Sequence, residues 1–272
     1  MSMSKPERWQ TLLELLASEG KLDVEEAAGA LEVSSATIRR DLDELAEQQM
    51  LVRTRGGAVA HGVSYELPLR YKSTRRAAEK RRIAAAVADL IGDNEVVGLN
   101  GGTTTTEVAR TLAHRAGGNG RGGERAAATP PGSPVLTVVT NALNIAGELA
   151  VRPHVKTVTT GGVARPQTYE LVGPLTMGVL SEVVLDAVVL GVDGVDPRLG
   201  VMAHHEDEAA VSRLFVERAQ RVVVATDSSK LGRRAFARIC GLDRVDVLVT
   251  DTGVSEEAAA RLGEAGVRVV SV

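Results

Sequence analysis

The sequence predicts an α/β protein in two parts: a small three-helix head, then a doubly wound parallel-sheet domain. Three observations carry that expectation. Residues 5–50 hold apolar side chains at helical spacing, residues 51–59 read as a short hairpin, and from about residue 83 β-branched runs alternate with helical segments. A length of 272 residues suits about two domains.

Trp9, Leu12, Leu13 and Leu16 recur at helical spacing and form one stripe. Asp23 followed by Glu26 has the capping-box pattern that opens a second, short helix, with Val24, Ala27, Ala28 and Leu31 on one face. Ser34 or Ser35 caps a third helix whose core stripe is Ile38, Leu42 and Leu45. Leu51 to Arg53 and Ala58-Val59 pair as a hairpin, with Gly56-Gly57 expected at positive φ in its turn. Three short helices and a hairpin make a winged helix-turn-helix over residues 5–60, a unit whose third helix enters the DNA major groove.

The stretch 61–82 reads as a basic linker, with seven basic residues against two acidic ones. The second domain, 83–272, then brings β-branched runs at 96–99, 135–139, 155–159, 187–192, 222–225, 245–249 and 267–270. Continuous apolar strands separated by helices mean a parallel sheet covered on both faces. Residues 117–134 are rich in Gly, Pro and Ala and cannot bury a core, so a mobile surface loop is expected there.

Composition narrows the function. Net charge is −3, so nucleic-acid contact must come from a local cluster. With 2% aromatic residues the chain lacks the stacking platforms of a single-strand binder. Cys240 is the single cysteine, which excludes an internal disulfide and any multi-cysteine metal site, fits a reducing compartment, and is expected to be packed. No run approaches the length of a membrane span, and Glu7 and Arg8 do not open a signal peptide. A cytoplasmic protein with no membrane partner is expected.

With Ile38 facing the core, the helical angle puts Arg40 directly opposite it and Arg39 on the flank, with Ala36 and Asp43 outward and Thr37 bordering. An arginine on the outer face of a reading helix suits bidentate contact with a base edge. Ser34, Ser35 and the helix N-terminus suit phosphate. Arg53 and Arg55 alternate along one strand and can face the DNA backbone or minor groove.

The string from Val33 to Leu45, VSSATIRRDLDEL, with LVRTRGGA after it, resembles the helix-turn-helix of the DeoR/GlpR family of bacterial transcriptional regulators. The resemblance implies DNA binding by Ser34, Ser35, Thr37, Arg39, Arg40, Arg53 and Arg55. Glu32 departs from the pattern, standing at a turn position where many relatives carry Gly.

In the second domain, Asn100 is followed by GGTTTTEVARTL. A Gly-Gly turn, threonine hydroxyls and a helix N-terminus form a plausible phosphate cradle. The pattern is neither a Walker loop nor G-x-G-x-x-G. Thr140-Asn141, Gly161-Gly162, Asp193 and Lys230 also follow strands, on the edge where open α/β sheets bind ligands. Asp193 suits sugar hydroxyls, and Lys230 suits phosphate. His204-His205-Glu206 and the pair Asp193 and Asp196 lack metal-site spacing, so no metal is expected.

The stretches LNGGTTTTEVA, TVVTNALNIAGELA, LGVDGVD, EAAVSR and ATDSSKLGRRAFAR are similar to the DeoR-type effector domain, itself similar to the ribose-5-phosphate isomerase and glucosamine-6-phosphate deaminase group. The resemblance implies a sugar-phosphate effector held by Asn100, Gly101, Gly102, Thr103, Thr104, Thr105, Asp193 and Glu208, with Lys230. Many relatives carry Asp-Ser where this chain has Asn100 and Gly101, which exchanges a carboxylate for an amide.

The expected function is therefore a repressor of sugar-metabolism genes, released by a phosphorylated sugar and acting on double-stranded operator DNA. Repeated half-sites imply self-association as a dimer or tetramer. No catalytic residue, cofactor or metal is expected. The rival readings are a sugar-phosphate isomerase or deaminase, and an activator that needs no ligand.

Overall fold

The computed structural model describes residues 3–47, 50–59, 69, 76–119 and 134–272. The chain divides into two compact units, Met1–Lys72 and Ser73–Val272. The linker expectation at 61–68 and 70–75, and the loop expectation at 120–133, lie outside the described residues.

In the first unit, helix α1 (Lys5–Glu19) starts where the Ser4 N–H donates to the Glu7 carboxylate, and stops at Gly20, whose φ of 73° ends the helix. Strand β1 (Lys21–Asp23) follows, unforeseen in the sequence. The Asp23 carboxylate then accepts from the backbone of Glu25 and Glu26 and caps helix α2 (Val24–Ala30). Helix α3 (Ser35–Glu47) buries Ile38, Leu42 and Leu45 as expected, and also Asp41.

Strands β2 (Val52–Arg53) and β3 (Gly57–Val59) pair antiparallel, and β3 pairs with β1 on its other side, giving the order β1-β3-β2. The expected positive φ at Gly56 and Gly57 does not occur. Gly57 is needed for another reason: a Cβ there would run into the Leu22 backbone carbonyl of β1. Glu32, in the turn between α2 and α3, does adopt the left-handed region, at φ 52°. A residue with a Cβ sits there at a cost that Gly escapes.

The second unit opens with helix α4 (Ala77–Leu90). Residues 77–82 are therefore the first turns of that helix, not linker as expected. Then come β4 (Val96–Leu99), α5 (Thr103–His114), β5 (Leu136–Thr140), α6 (Leu143–Leu149) and β6 (Val155–Thr159). Residues 115–119 continue α5 as a wider turn, so part of the expected loop is helical. A small hairpin, β7 (Val163–Ala164) with β8 (Leu171–Val172), and a short helix α7 (Met177–Leu180) precede β9 (Leu185–Leu190). The chain continues through β10 (Gly194–Asp196), β11 (Gly200–Ala203), α8 (Glu206–Arg218), β12 (Ala219–Ala225) and β13 (Ala237–Cys240). It ends with β14 (Val247–Thr250), α9 (Glu256–Glu264) and β15 (Arg268–Ser271).

Seven strands form one parallel sheet in the order β15-β14-β12-β9-β4-β5-β6. Its strands alternate in the faces they serve. Val97, Leu99, Ala187 and Val189 pack with Ile83, Val87, Val108 and Leu112 on one face. Val188, Leu190, Val222 and Val224 pack with Val211, Phe215 and Val216 on the other. Strand order reverses between β4 and β9, so the crevice outside their C-terminal ends is where such a fold binds ligands.

Candidate functional site

The head presents its predicted residues unevenly. Ser34 caps α3, its hydroxyl accepting from the Thr37 N–H at 3.2 Å and lying 2.9 Å from the Thr37 hydroxyl. Ser35 donates to the Glu25 carboxylate at 2.6 Å, and Arg39 pairs with the same carboxylate at 2.9 Å. Glu25 thus ties α2 to the start of α3 and holds Arg39 on the flank. Arg40 is exposed and makes no hydrogen bond or ion pair among the described residues. Arg53 folds back onto Asp43, at 2.6 Å, and onto the Gly57 carbonyl. Arg55 lies in the turn beyond β2 rather than on the strand with Arg53, and is exposed.

Behind α3 lies a cluster that sequence reasoning missed. Asp41 is 2% exposed and accepts from Trp9 Nε1 at 2.9 Å and from both Nε and an Nη of Arg8. The hydrogen bond from Arg8 to Asp41 raises the guanidinium pKa above its ordinary value. The signal was present: Asp41 stands three residues after Ile38, on the core side of the helix.

In the second unit the switch point is spanned by Asn100. Its amide donates to the Gly191 carbonyl at 2.9 Å and to the Ser212 hydroxyl at 3.1 Å, while its oxygen accepts from the Gly191 N–H at 2.7 Å. Asn100 is buried with its amide spent on the protein, so it frames the crevice rather than offering itself to a ligand. Gly101 has no room for a side chain because the Glu170 side chain occupies that space. Gly102, at φ 138°, precedes α5.

The threonines divide. Thr105 and Thr106 donate their hydroxyls back to the Gly102 carbonyl, at 3.1 and 2.6 Å. Thr103 and Thr104 make no side-chain hydrogen bond among the described residues. The first intrahelical bond runs from the Thr106 N–H to Gly102, and the N–H groups of Thr103 to Thr105 make no hydrogen bond among those residues. This leaves three backbone donors and a helix dipole at the mouth of the crevice.

Beside it, Asp193 accepts from the His204 N–H at 3.0 Å, and Lys230 Nζ lies 3.6 Å from its other oxygen. Glu208 is buried, accepts from the Thr168 hydroxyl at 2.7 Å and lies 3.0 Å from Arg165 Nε. It binds the turn of the β7–β8 hairpin, which sequence reasoning did not foresee.

Lys230 belongs to a braced loop. Asp227 accepts from the Ser229 N–H, and Asp251 accepts from the Ser228 N–H and hydroxyl and from the Gly253 N–H. Burial alone would raise the Asp251 carboxyl, but those hydrogen bonds and the Arg76 charge bring it below the ordinary range. Arg76, which caps α4 in the left-handed region, donates to Ser228 at 3.3 Å and lies 3.7 Å from Asp251. Arg76, at the start of α4, therefore holds the loop that carries Lys230.

His204, His205 and Glu206 form no metal cluster, and none of three or more ligating residues occurs among the described residues. Cys240 is buried, as expected, and burial pushes its thiol pKa up to about 11. No described helix is long and apolar enough to cross a membrane. A separate cleft of about 460 Å³, lined by Asp196, Arg198, Arg234 and Arg261 among others, contains none of the predicted residues.

Comparison with known proteins agrees with both halves. Residues 8–62 match the model of the DeoR-like helix-turn-helix domain. Residues 75–118 and 126–252 match that of the DeoR C-terminal sensor domain. A putative aga operon transcriptional repressor of Escherichia coli O157:H7 is 32% identical over 98% of this chain and 93% of its own length. The HTH-type transcriptional regulator GlpR of Haloferax volcanii is 33% identical over 98% of both chains. The glycerol-3-phosphate regulon repressor of Escherichia coli K12 is 30% identical over 92% of both. Among solved structures, ribose 5-phosphate isomerase A from Methanocaldococcus jannaschii overlaps 56% of this chain and 53% of its own, with a TM-score of 0.38 and 20% identity. A helix-turn-helix head and a sensor domain, which together match most of the sequence, make this chain a member of the DeoR family of DNA-binding transcriptional regulators, not of an enzyme family.

Proposed function

We propose that the protein represses sugar-metabolism genes by holding operator DNA, and lets go when a phosphorylated sugar binds at the C-terminal edge of its parallel sheet. The observation that carries this reading is the open N-terminus of α5 at the switch point, with Lys230 held near Asp193 after the strands on the same sheet edge. Backbone N–H groups and a helix dipole there suit a phosphate, and Lys230 adds a neutralising charge. Gly102 lets the backbone approach the anion, and the hydroxyls of Thr103 and Thr104 add donors, with Thr105 contributing its N–H. Asp193 accepts from sugar hydroxyls. Asn100, Gly101 and Glu208 position these groups. Relatives named for repression of a glycerol-3-phosphate regulon and of an aga operon support the class of gene controlled.

On the DNA side, Arg40 reads a base edge, and Arg39 joins it after leaving Glu25. Ser34, Ser35, Thr37, Arg53 and Arg55 bind phosphates. Repeated half-sites call for two heads, hence at least a dimer. Within the sensor unit the response runs through the loop Asp227–Lys230: a ligand that draws Lys230 changes how Ser228 and its neighbours hold Arg76.

The test begins with operator fragments recovered from source-genome DNA on the purified protein. Fluorescence anisotropy on such a fragment then follows affinity. Arg40→Ala should weaken binding by about 1–3 kcal/mol and relax one base position. Glucose 6-phosphate, fructose 1-phosphate, ribose 5-phosphate and glycerol 3-phosphate are then titrated in turn. At least one should release the fragment from the wild type and fail to release it from Lys230→Met. Wild-type binding by Arg40→Ala would overturn the docking scheme, and indifference to every sugar phosphate would overturn the release scheme.

A further inference from the structure

One polar cluster is left unused by the phosphate scheme. Asn141 follows β5 directly and is fully buried. Its Nδ2 donates to Glu170 Oε2 at 2.8 Å and to the Leu171 carbonyl at 3.2 Å. A carbonyl and an ionised carboxylate only accept. Turning the amide over would set its oxygen against both, so the network fixes its orientation. Asn141 Oδ1 is then the group left over, and it is buried with no hydrogen-bond partner among the described residues. A buried acceptor without a donor is costly, and proteins rarely keep one without use.

Its surroundings tie it to the crevice. Glu170 is buried, and its side chain lies where a Cβ on Gly101 would stand. Gly101 thus admits Glu170 to the turn that leads into α5. The backbone is drawn in as well: the Leu171 N–H donates to the Asn141 carbonyl at 2.6 Å, and the Leu143 N–H to the Tyr169 carbonyl at 2.9 Å. Tyr169 is held at φ 60°, a conformation that bulky residues rarely adopt. The same turn carries Arg165, whose buried Nε is ion-paired with Glu208 at 3.0 Å. A strained turn packed against an unmatched buried acceptor at a ligand crevice marks a functional segment.

We propose that Asn141 and Glu170 form a hydroxyl-reading subsite under the β7–β8 hairpin, which distinguishes a polyhydroxylated phosphate ester from bare phosphate. A ligand hydroxyl donates to Asn141 Oδ1, and Glu170 orients the amide that receives it. The subsite rests on the reading above, in which the phosphate docks at the N-terminus of α5.

The experiment uses the full chain and isothermal calorimetry with inorganic phosphate and the four sugar phosphates named above. The tightest of these is compared with its analogues lacking one hydroxyl. Wild type should bind the sugar phosphate at least tenfold more tightly than one such analogue. Asn141→Ala should lose that tenfold preference while binding inorganic phosphate within twofold of wild type. Glu170→Gln, which keeps the shape, should lose part of the same preference, so the conclusion survives if Asn141→Ala folds poorly. Equal loss for inorganic phosphate and sugar phosphate would make Asn141 a structural residue and overturn the subsite. Unchanged preference in both variants, as when water satisfies Oδ1, would overturn it too. Failure of every phosphate to bind wild type would instead sink the phosphate site itself, and the subsite with it.

Discussion

Replacing Asp41 with Ala should unfold the DNA-reading head and leave the sensor domain standing. Asp41 is nearly inaccessible and joins α3 to α1 through Arg8 and Trp9. Removing one partner of a buried ion pair costs about 3–5 kcal/mol, because the other charge stays buried and unpaired. The orphaned Trp9 N–H adds about 1 kcal/mol. A head of about 55 residues, at 0.05–0.15 kcal/mol per residue, has roughly 3–8 kcal/mol to lose. The loss is therefore comparable with the whole stability of the head. Asp41→Asn keeps the shape and an acceptor for Trp9, and should cost only about 1–3 kcal/mol. Trp9 is the chain's single tryptophan and lies in the head, so its fluorescence in a urea titration follows that unit alone. The expected order of midpoints is wild type, Asp41→Asn, then Asp41→Ala, with operator binding lost in the last. A midpoint for Asp41→Ala within about 0.3 M of wild type would refute the assignment of Asp41 as the joint, given a slope near 1 kcal/mol/M for a unit this small.

Glu32→Gly should stabilise the head by about 0.5–1 kcal/mol, since the relief of a left-handed Cβ exceeds the added chain entropy of Gly; the Trp9 midpoint should rise. Cys240, with its thiol pushed up to about 11, should resist dithionitrobenzoate at pH 8 in the folded protein and react fully in denaturant; fast native labelling would contradict its burial. Asp196 is held at a pKa of about 2, first by the hydrogen bond from Arg234 and then by the Leu199 and Arg198 N–H groups. Its folded pKa lies below the unfolded value, so its contribution is present above about pH 4 and is lost as pH falls toward 2. Because Arg234 is largely exposed, that contribution is on the order of 1 kcal/mol, and Asp196→Asn should flatten thermal stability across this window. Arg76→Met should change sugar-phosphate affinity by no more than about fivefold while reducing ligand-induced operator release by a similar factor per protomer; full release would show that the signal bypasses Ser228.

Legibility in the sequence followed the range of the interactions. Ile38, Leu42 and Leu45 declared the buried face of α3, and with it the outward Arg40, because helical periodicity is local. The seven strands of the parallel sheet were readable because both faces are covered and their apolar runs are continuous. Strand β1 was not, since Lys21 and Asp23 flank a single apolar residue and its partner Ala58 lies far along the chain. The role of Gly57 likewise depends on Leu22 across that pairing. At the crevice, spacing identified the edge but not the division of labour. Asn100 and Thr105 look like ligand residues in the sequence and spend their side chains on Gly191, Ser212 and Gly102. Glu170 gave no signal at all, because its place is set by the absence of a side chain at Gly101.

The magnitudes also constrain how the proposed release operates. The link from Ser228 to Arg76 is one hydrogen bond at 3.3 Å, with two carboxylates at 3.7 and 3.8 Å and a half-exposed guanidinium. A contact of that kind carries about 1 kcal/mol, a factor of about five. Moving an operator from almost fully held to almost fully free takes about 5.5 kcal/mol of differential affinity. One such link in one protomer falls well short. Two linked protomers double the energy and square the ratio, and a ligand hydroxyl donated to Asn141 Oδ1 in the proposed subsite adds to it by matching an acceptor that the free protein leaves unmatched. The proposed hydroxyl subsite and the proposed self-association thus serve the same end. Bare phosphate, which engages neither Asn141 nor Glu170, should bind at α5 and yet release DNA only partly.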